Sequence, residues 1–231
     1  MNKDQISRLD NPAWSALTSD HRPLSSGGAL ARRYDPAISV FAGMEAEAPE
    51  AYAELGSLLQ GDGKAVLFTP QQLTPPGDFT ITALGEGFQM VAQTVAPPVG
   101  APAADFIRLT AEDVPEMQQL VELTKPGPFA PRTIELGQYL GVRENGTLAA
   151  MAGERMRFGE FVEISAVCVH PDHRGKQLAH KLMLELAARI MTEGRTPILH
   201  VFTSNSPAIA LYEKLGFVIR QSFKVSLLGL T

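Results

Sequence analysis

The residues best placed to do chemistry lie in Val167-Cys168-Val169-His170-Pro171-Asp172-His173-Arg174-Gly175-Lys176-Gln177-Leu178-Ala179. A glycine-containing turn here joins an apolar strand to an amphipathic helix. A helix that starts at such a turn presents unpaired backbone N–H groups and the positive end of its dipole, an arrangement suited to phosphate or pyrophosphate. Arg174, Lys176, His173 and His180 add positive charge nearby. On this physics alone the segment reads either as an anion site or as one of the many strand-turn-helix junctions that bind nothing. It lacks the spacing of a Walker loop and the three glycines of a dinucleotide fingerprint.

Two other features in the same stretch invite chemical readings. Cys168 could carry an acyl group, but it lies in an apolar strand and reads more readily as a small buried hydrophobe. His170 and His173, three apart, could suggest a metal, yet no Cys, Asp or Glu set completes a ligand group at a familiar spacing, so solvation or phosphate contact is the better reading.

The elements that must hold these residues follow from periodicity and turn chemistry. Phe161 to His170 reads as a strand. His173 to Met191 reads as a helix with Leu178, Leu182, Leu186 and Ile190 on one face. Ile198 to Phe202 is a strand leading to a helix over Ser206 to Leu215, and Phe217 to Leu228 is a last strand or hairpin. Upstream, Asp105 to Leu109 reads as a strand, and Thr110-Ala111-Glu112-Asp113 as a capping box opening a helix. Gln138 to Arg143 and Thr147 to Glu154 flank Glu144-Asn145-Gly146, a tight hairpin turn. In the first half, Ala65 to Phe68 and Phe79 to Leu84 read as strands, and Glu47 to Leu59 as a helix with Tyr52, Leu55 and Leu59 on one face. Trp14 and Tyr34 are expected to pack that half.

Ala96-Pro97-Pro98-Val99-Gly100-Ala101-Pro102-Ala103 reads as a linker. It suggests a smaller mixed α/β N-terminal domain over 1–103 and a second domain over 104–231. Residues 1–103 carry 6 Lys and Arg against 11 Asp and Glu, whereas 104–231 carry 14 of each, so the net charge of -5 arises in the first half. No broad basic face for nucleic acid is implied. No apolar run is long enough to span a bilayer, and the N-terminus lacks a secretory pattern. With Cys168 as the sole cysteine, the expected compartment is the cytoplasm.

The segment 167–179 resembles the acetyl-CoA-binding motif of GNAT acetyltransferases, Arg/Gln-x-x-Gly-x-Gly/Ala, with Arg174 and Ala179 matching its ends and Gln177 replacing the central glycine. Downstream, Asn205-Ser206-Pro207-Ala208-Ile209-Ala210-Leu211-Tyr212-Glu213-Lys214-Leu215-Gly216-Phe217 resembles the closing motif of the same enzymes. The likeness covers roughly residues 104–228.

The resemblance implies an α/β fold of the α+β kind, with a mostly antiparallel twisted sheet and flanking helices. It implies acetyl-CoA as cosubstrate, no metal, and an amine acceptor, and it leaves a homodimer open. The backbone of Val167, Cys168 and Val169 would pair with the pantetheine arm. Arg174, Gly175, Lys176, Gln177, Leu178 and Ala179 would cradle the pyrophosphate, with Gln177 helical and keeping its N–H. Asn205 would contact the pantetheine, cap its helix, or both. The backbone N–H of Val169 or a neighbour would stabilise the oxyanion.

Acetyl transfer needs a neutral amine and an acid for the leaving thiolate. The resemblance places Tyr212 as that acid and Glu163 as a base, although Glu163 alternates with Val162 and Ile164 and could be merely solvated. The loop Lys125 to Arg132 would line the acceptor pocket. The implied activity is transfer of acetyl to a primary amine of a small molecule, amino acid or protein. A non-catalytic acyl-CoA-binding module and an enzyme using a longer acyl-CoA are the alternatives. Residues 1–103 would shape the substrate pocket or be a degenerate copy of the same fold, as in two-lobed acyltransferases resembling glycine N-acyltransferase.

Overall fold

In a computed structural model, which describes residues 1–61, 63–93 and 106–231, the chain begins with two short helices, α1 (Lys3–Asp10) and α2 (Pro12–Thr18). Three short strands follow, β1 (Ser25–Gly27), β2 (Ala31–Tyr34) and β3 (Ala42–Met44), then α3 (Pro49–Leu58), β4 (Lys64–Thr69) and the long β5 (Phe79–Ala92). The second half holds β6 (Ile107–Arg108), α4 (Val114–Thr124), β7 (Tyr139–Glu144), β8 (Thr147–Phe158), β9 (Phe161–Val169), α5 (Leu178–Thr192), β10 (Thr196–Phe202), α6 (Ser206–Lys214) and β11 (Phe217–Leu230).

Local chemistry accounts for several boundaries. The Thr110–Asp113 capping box forms, with Asp113 accepting from the Thr110 N–H at 2.8 Å, and it leads through a short 3-10 turn into α4. Asn145 and Gly146 both take positive φ, 52° and 84°, at the tip of the β7–β8 hairpin, as a type I′ turn requires. Pro207 occupies the first turn of α6 behind the Asn205 cap.

The strands form an eight-stranded sheet in the order β4-β11-β5-β10-β9-β8-β7-β6, and β1 to β3 form a separate small sheet. Within the large sheet only the β9–β10 pair is parallel. The break expected near residue 103 does not divide this sheet. β4 and β5 of the first half pair with β11, and β5 lies between β11 and β10. The linker expected at 96–103 lies outside the described residues.

Each face of the sheet has its own core. On one, Val162, Ile164, Leu199 and Val201 pack against Leu182, Leu186 and Ile190 of α5. On the other, Phe161, Phe158 and Phe223 pack with Leu9, Leu17, Tyr34, Phe41 and Phe68 of the first half. Period-two alternation of β9 and β10 therefore sends Glu163 and His200 toward the first-half face. Among the described residues, no helix is long and apolar enough to cross a membrane.

Because β5 fills the place between β10 and β11, a fragment of residues 104–231 would leave both strands with an unpaired, partly apolar edge. Such a fragment is expected to show no cooperative thermal transition by circular dichroism, whereas the full chain should melt in one. A soluble fragment with its own sharp transition would contradict this account.

Candidate active site

β9 and β10 pair only from Phe161 to Glu163 against Thr196 to Ile198 and then diverge. A bulge contributes to the opening. Met151 faces Cys168 while Gly153 faces Ser165, so Ala166 and Val167 stand opposite Ala152 alone, and Ala166 takes φ 52°. A cavity of about 310 Å³ fills the gap. Its one side is formed by Val167, Ala179, Asn205, Ala208, Leu211 and Tyr212, its other by Phe41, Val66, Phe68, Arg155, His200 and Phe223.

The motif residues gather at the first of these sides. Val167 and Val169 are half-buried, while Cys168 turns into the core with Met117, Leu120 and Tyr139. Burial pushes the Cys168 thiol up to about 11, against a smaller opposing effect of its contact with Thr124, so it is a poor nucleophile at neutral pH.

The turn after β9 differs from expectation. Pro171–His173 is a single 3-10 turn, and α5 begins at Leu178 rather than at His173. Gly175 and Gln177 both have positive φ, 81° and 60°, so Gln177 is left-handed and not helical. A glycine at the centre of the motif would accept this geometry without strain; a residue with a Cβ is disfavoured there by about 1–2 kcal/mol. Positive charge at the turn is also narrower than the sequence suggests. Glu144 binds Lys176 and lies 3.0 Å from Nδ1 of His173, leaving Arg174 without a carboxylate partner among the described residues. The hydrogen bond from Lys176 is the main cause that holds the Glu144 carboxyl below the usual carboxylate range. His180 lies half-buried on the first turn of α5.

Asn205 both caps α6, its Oδ1 accepting from the Ala208 N–H at 3.3 Å, and lines the cavity. Tyr212 lines it too, its ring centroid 6.3 Å from that of Phe217. Burial, helped by nearby Cys168, pushes the Tyr212 hydroxyl up to about 12, so it keeps its proton throughout the neutral range.

Glu163 requires a correction. It is fully buried, accepting from Arg155 Nε at 2.8 Å, from Arg155 Nη2, and from His200 Nδ1 at 2.6 Å. Burial alone would raise its pKa, but the charge of Arg155 and the hydrogen bonds from Arg155 and His200 outweigh it and hold the carboxyl well below the usual carboxylate range. A locked anion of this kind is not a general base.

Arg155, His200, Phe41 and Phe68, which sequence reading missed, build the inner wall. The guanidinium carbon of Arg155 stands 4.9 Å from the ring centre of Phe41 and 5.4 Å from that of Phe68. His200 stacks on Phe68 at 5.0 Å. The one sequence signal for this wall was the alternation that set Glu163 apart from Val162 and Ile164. The loop 125–132 reaches the cavity through Pro126, Gly127 and Pro128, and Arg132 fastens it to the first half through Asp35 at 2.9 Å. Among the described residues no group of three or more His, Cys, Asp and Glu is arranged to hold a metal.

Comparison with known proteins places the chain. The family described as FR47-like protein matches residues 139–225. The N-terminal acetyltransferase B complex catalytic subunit of Arabidopsis thaliana is 45% identical over 58 residues, a third of its length. The N-alpha-acetyltransferase RimI of Mycobacterium tuberculosis is 31% identical over 137 residues, 55% of this chain and 82% of that protein. The L-amino acid N-acyltransferase MnaT of Escherichia coli is 36% identical over 101 residues, 39% of this chain and 56% of its own. A crystal structure of a GNAT-family protein from Novosphingobium aromaticivorans superposes with a TM-score of 0.88 at 40% identity, covering 96% of this chain and 98% of that one. The chain belongs to the GNAT superfamily of acyl-CoA-dependent N-acetyltransferases.

Gln177→Gly should relieve the left-handed strain. Set against the extra freedom glycine gains in the unfolded chain, the net gain is roughly 0.5–1 kcal/mol. Chemical denaturation is expected to show a higher midpoint at unchanged slope. A lower midpoint would mean that the Gln177 side chain makes a compensating contact.

Proposed function

We propose that the chain transfers the acetyl group of acetyl-CoA to a primary amine by direct attack in the cavity between β9 and β10. The observation that carries this reading is the placement of the two motifs on one side of the opened strands, with a separate, first-half wall on the other. The coenzyme would enter from the α5 side. The Val167 to Val169 backbone would meet the pantetheine arm, the turn from Arg174 to Ala179 the pyrophosphate, and Asn205 the arm beside its cap. An N–H at Val169 or the bulge beside it would receive the oxyanion. An acceptor would lie on the side of Phe41, Phe68 and Arg155, so that the two substrates meet across the gap.

Tyr212 is assigned the acid that protonates the leaving thiolate. A phenol whose pKa lies near 12 stays protonated, and it donates as negative charge develops on sulfur. With Glu163 unable to act as base, the amine proton passes to water at the cavity mouth before attack. The role of Glu163 becomes that of a counter-ion holding Arg155 in place. A reducing, cytoplasmic setting suits Cys168, which is held as a buried thiol.

Calorimetric titration with acetyl-CoA and a thiol-release assay over a panel of amines test the reading together. Saturable binding and amine-dependent thiol release are expected. Tyr212→Phe should lower kcat by about 10-fold or more with coenzyme affinity nearly unchanged. Since a group with a raised pKa holds its proton until that pKa is passed, the wild-type rate should rise as the amine deprotonates, with no falling limb below about pH 10. Equal turnover by the Phe variant would remove Tyr212 from the mechanism. Absence of binding at millimolar acetyl-CoA would overturn the coenzyme site.

A further inference from the structure

Among the described residues, the acceptor side of the cavity contains one permanently charged group, Arg155, in a wall made otherwise of Phe41, Val66, Phe68, Phe223 and the imidazole of His200. Its guanidinium is not free to turn. Glu163 takes Nε and Nη2 from behind, and the rings of Phe41 and Phe68 lie against it. Nη1 makes no hydrogen bond to a described residue and is not among the buried, unpartnered atoms, while the side chain is 13% exposed where it lines the cavity. One donor edge is therefore fixed in position and left for an occupant.

What that occupant offers is decided by counting charge. Arg155 and Glu163 cancel. His200 adds nothing in this arrangement, for a reason fixed by the amide of Gln89 beside it. Arg220 Nη1 donates to Gln89 Oε1 at 2.8 Å, and Gln89 Nε2 donates to the Leu9 carbonyl at 2.9 Å, so the orientation of the Gln89 amide is set. Gln89 Nε2, 3.0 Å from His200 Nε2, must then donate to it. His200 carries its proton on Nδ1, toward Glu163, and is neutral. A carboxylate brought to Nη1 would put a second anion beside one cation inside an apolar wall, with the surplus charge uncompensated. A carbonyl oxygen takes the same N–H and leaves the cluster neutral.

We propose that Arg155 reads a neutral carbonyl oxygen beside the acceptor amine, so that the preferred acceptor is the α-amine of an apolar residue already in amide linkage rather than that of a free amino acid. The proposal rests on the acetyl-transfer reading above and narrows its substrate class. The apolar side chain would lie against Phe41, Phe68 and Phe223, with the carbonyl on Nη1 and the amine turned toward β9.

The test compares leucinamide with leucine on the full chain at saturating acetyl-CoA. Rates are expressed per concentration of neutral amine, so that the lower basicity of the amide is removed from the comparison. The expected kcat/KM for leucinamide exceeds that for leucine by about 10-fold or more. Arg155→Met should raise KM for leucinamide about 10-fold with kcat changed far less, because the lost contact is binding and not chemistry. Glu163→Gln frees Arg155 of its counter-charge and should shift the preference toward leucine. If that variant fails to fold, the wild-type pair and Arg155→Lys, which keeps the charge but not the fork, decide the matter. Leucine used as well as or better than leucinamide, or an unchanged KM in Arg155→Met, overturns the proposal. Thiol release with other amines but with neither leucine compound overturns it while leaving acetyl transfer standing, whereas no release with any amine fails both.

Discussion

Everything at this site depends on two parallel strands that part company. β9 and β10 share three residue pairs and then diverge, with the extra residue at Ala166–Val167 bending β9 out of the ladder. An unpaired strand edge inside a protein is unfavourable unless something satisfies its backbone. In a sheet this size, a gap at the centre persists only because both faces are held independently. α5 and α6 brace one side, and the first-half elements brace the other. The gap carries residues of both cores in its walls, Val167, Leu211 and Tyr212 from one and Phe41, Phe68 and Phe223 from the other.

The inner wall shows how a buried charge can be kept without being reactive. Arg155 and Glu163 are both withdrawn from solvent, and removing one partner of such a pair typically costs about 3–5 kcal/mol because the other is left unpaired. The gain from the pair over an apolar replacement is much smaller. Its worth lies in position. Glu163 aims the guanidinium, His200 completes the carboxylate's hydrogen bonds, and Gln89 and Arg220 fix His200 in turn. The same arrangement that makes Glu163 a useful anchor makes it useless as a base.

How much of this was legible in the sequence follows from the range of each interaction. The β7–β8 hairpin, the Thr110 cap and the α6 start were readable because Asn145-Gly146, Thr110–Asp113 and Asn205–Pro207 act on their neighbours. The turn between β9 and α5 was readable as a motif, but its geometry was not. Helical periodicity from Leu178 onward gave no warning that Gly175 and Gln177 delay the helix by five residues, since Gln carries no sign of a left-handed backbone. β5 was visible as a strand, yet nothing in its own residues says that it lies between β10 and β11. The Arg155 wall was invisible for the same reason: Phe41, Phe68, Arg155 and His200 come from four distant stretches, and only the sheet's alternation brings them together. The reading of the first half as a separate domain relied on a proline-rich linker, whereas the sheet runs through both halves.

In the proposed mechanism acetyl-CoA occupies the gap between β9 and β10 from the α5 side. A crystal structure of the chain with coenzyme A tests it most directly. Pantetheine amides hydrogen-bonded to the backbone of Val167 to Val169, the pyrophosphate on the N–H groups between Arg174 and Ala179, and the sulfur within reach of the Tyr212 hydroxyl are expected. A coenzyme bound elsewhere on the sheet, or a sulfur placed on the far side of β9 from Tyr212, would contradict it.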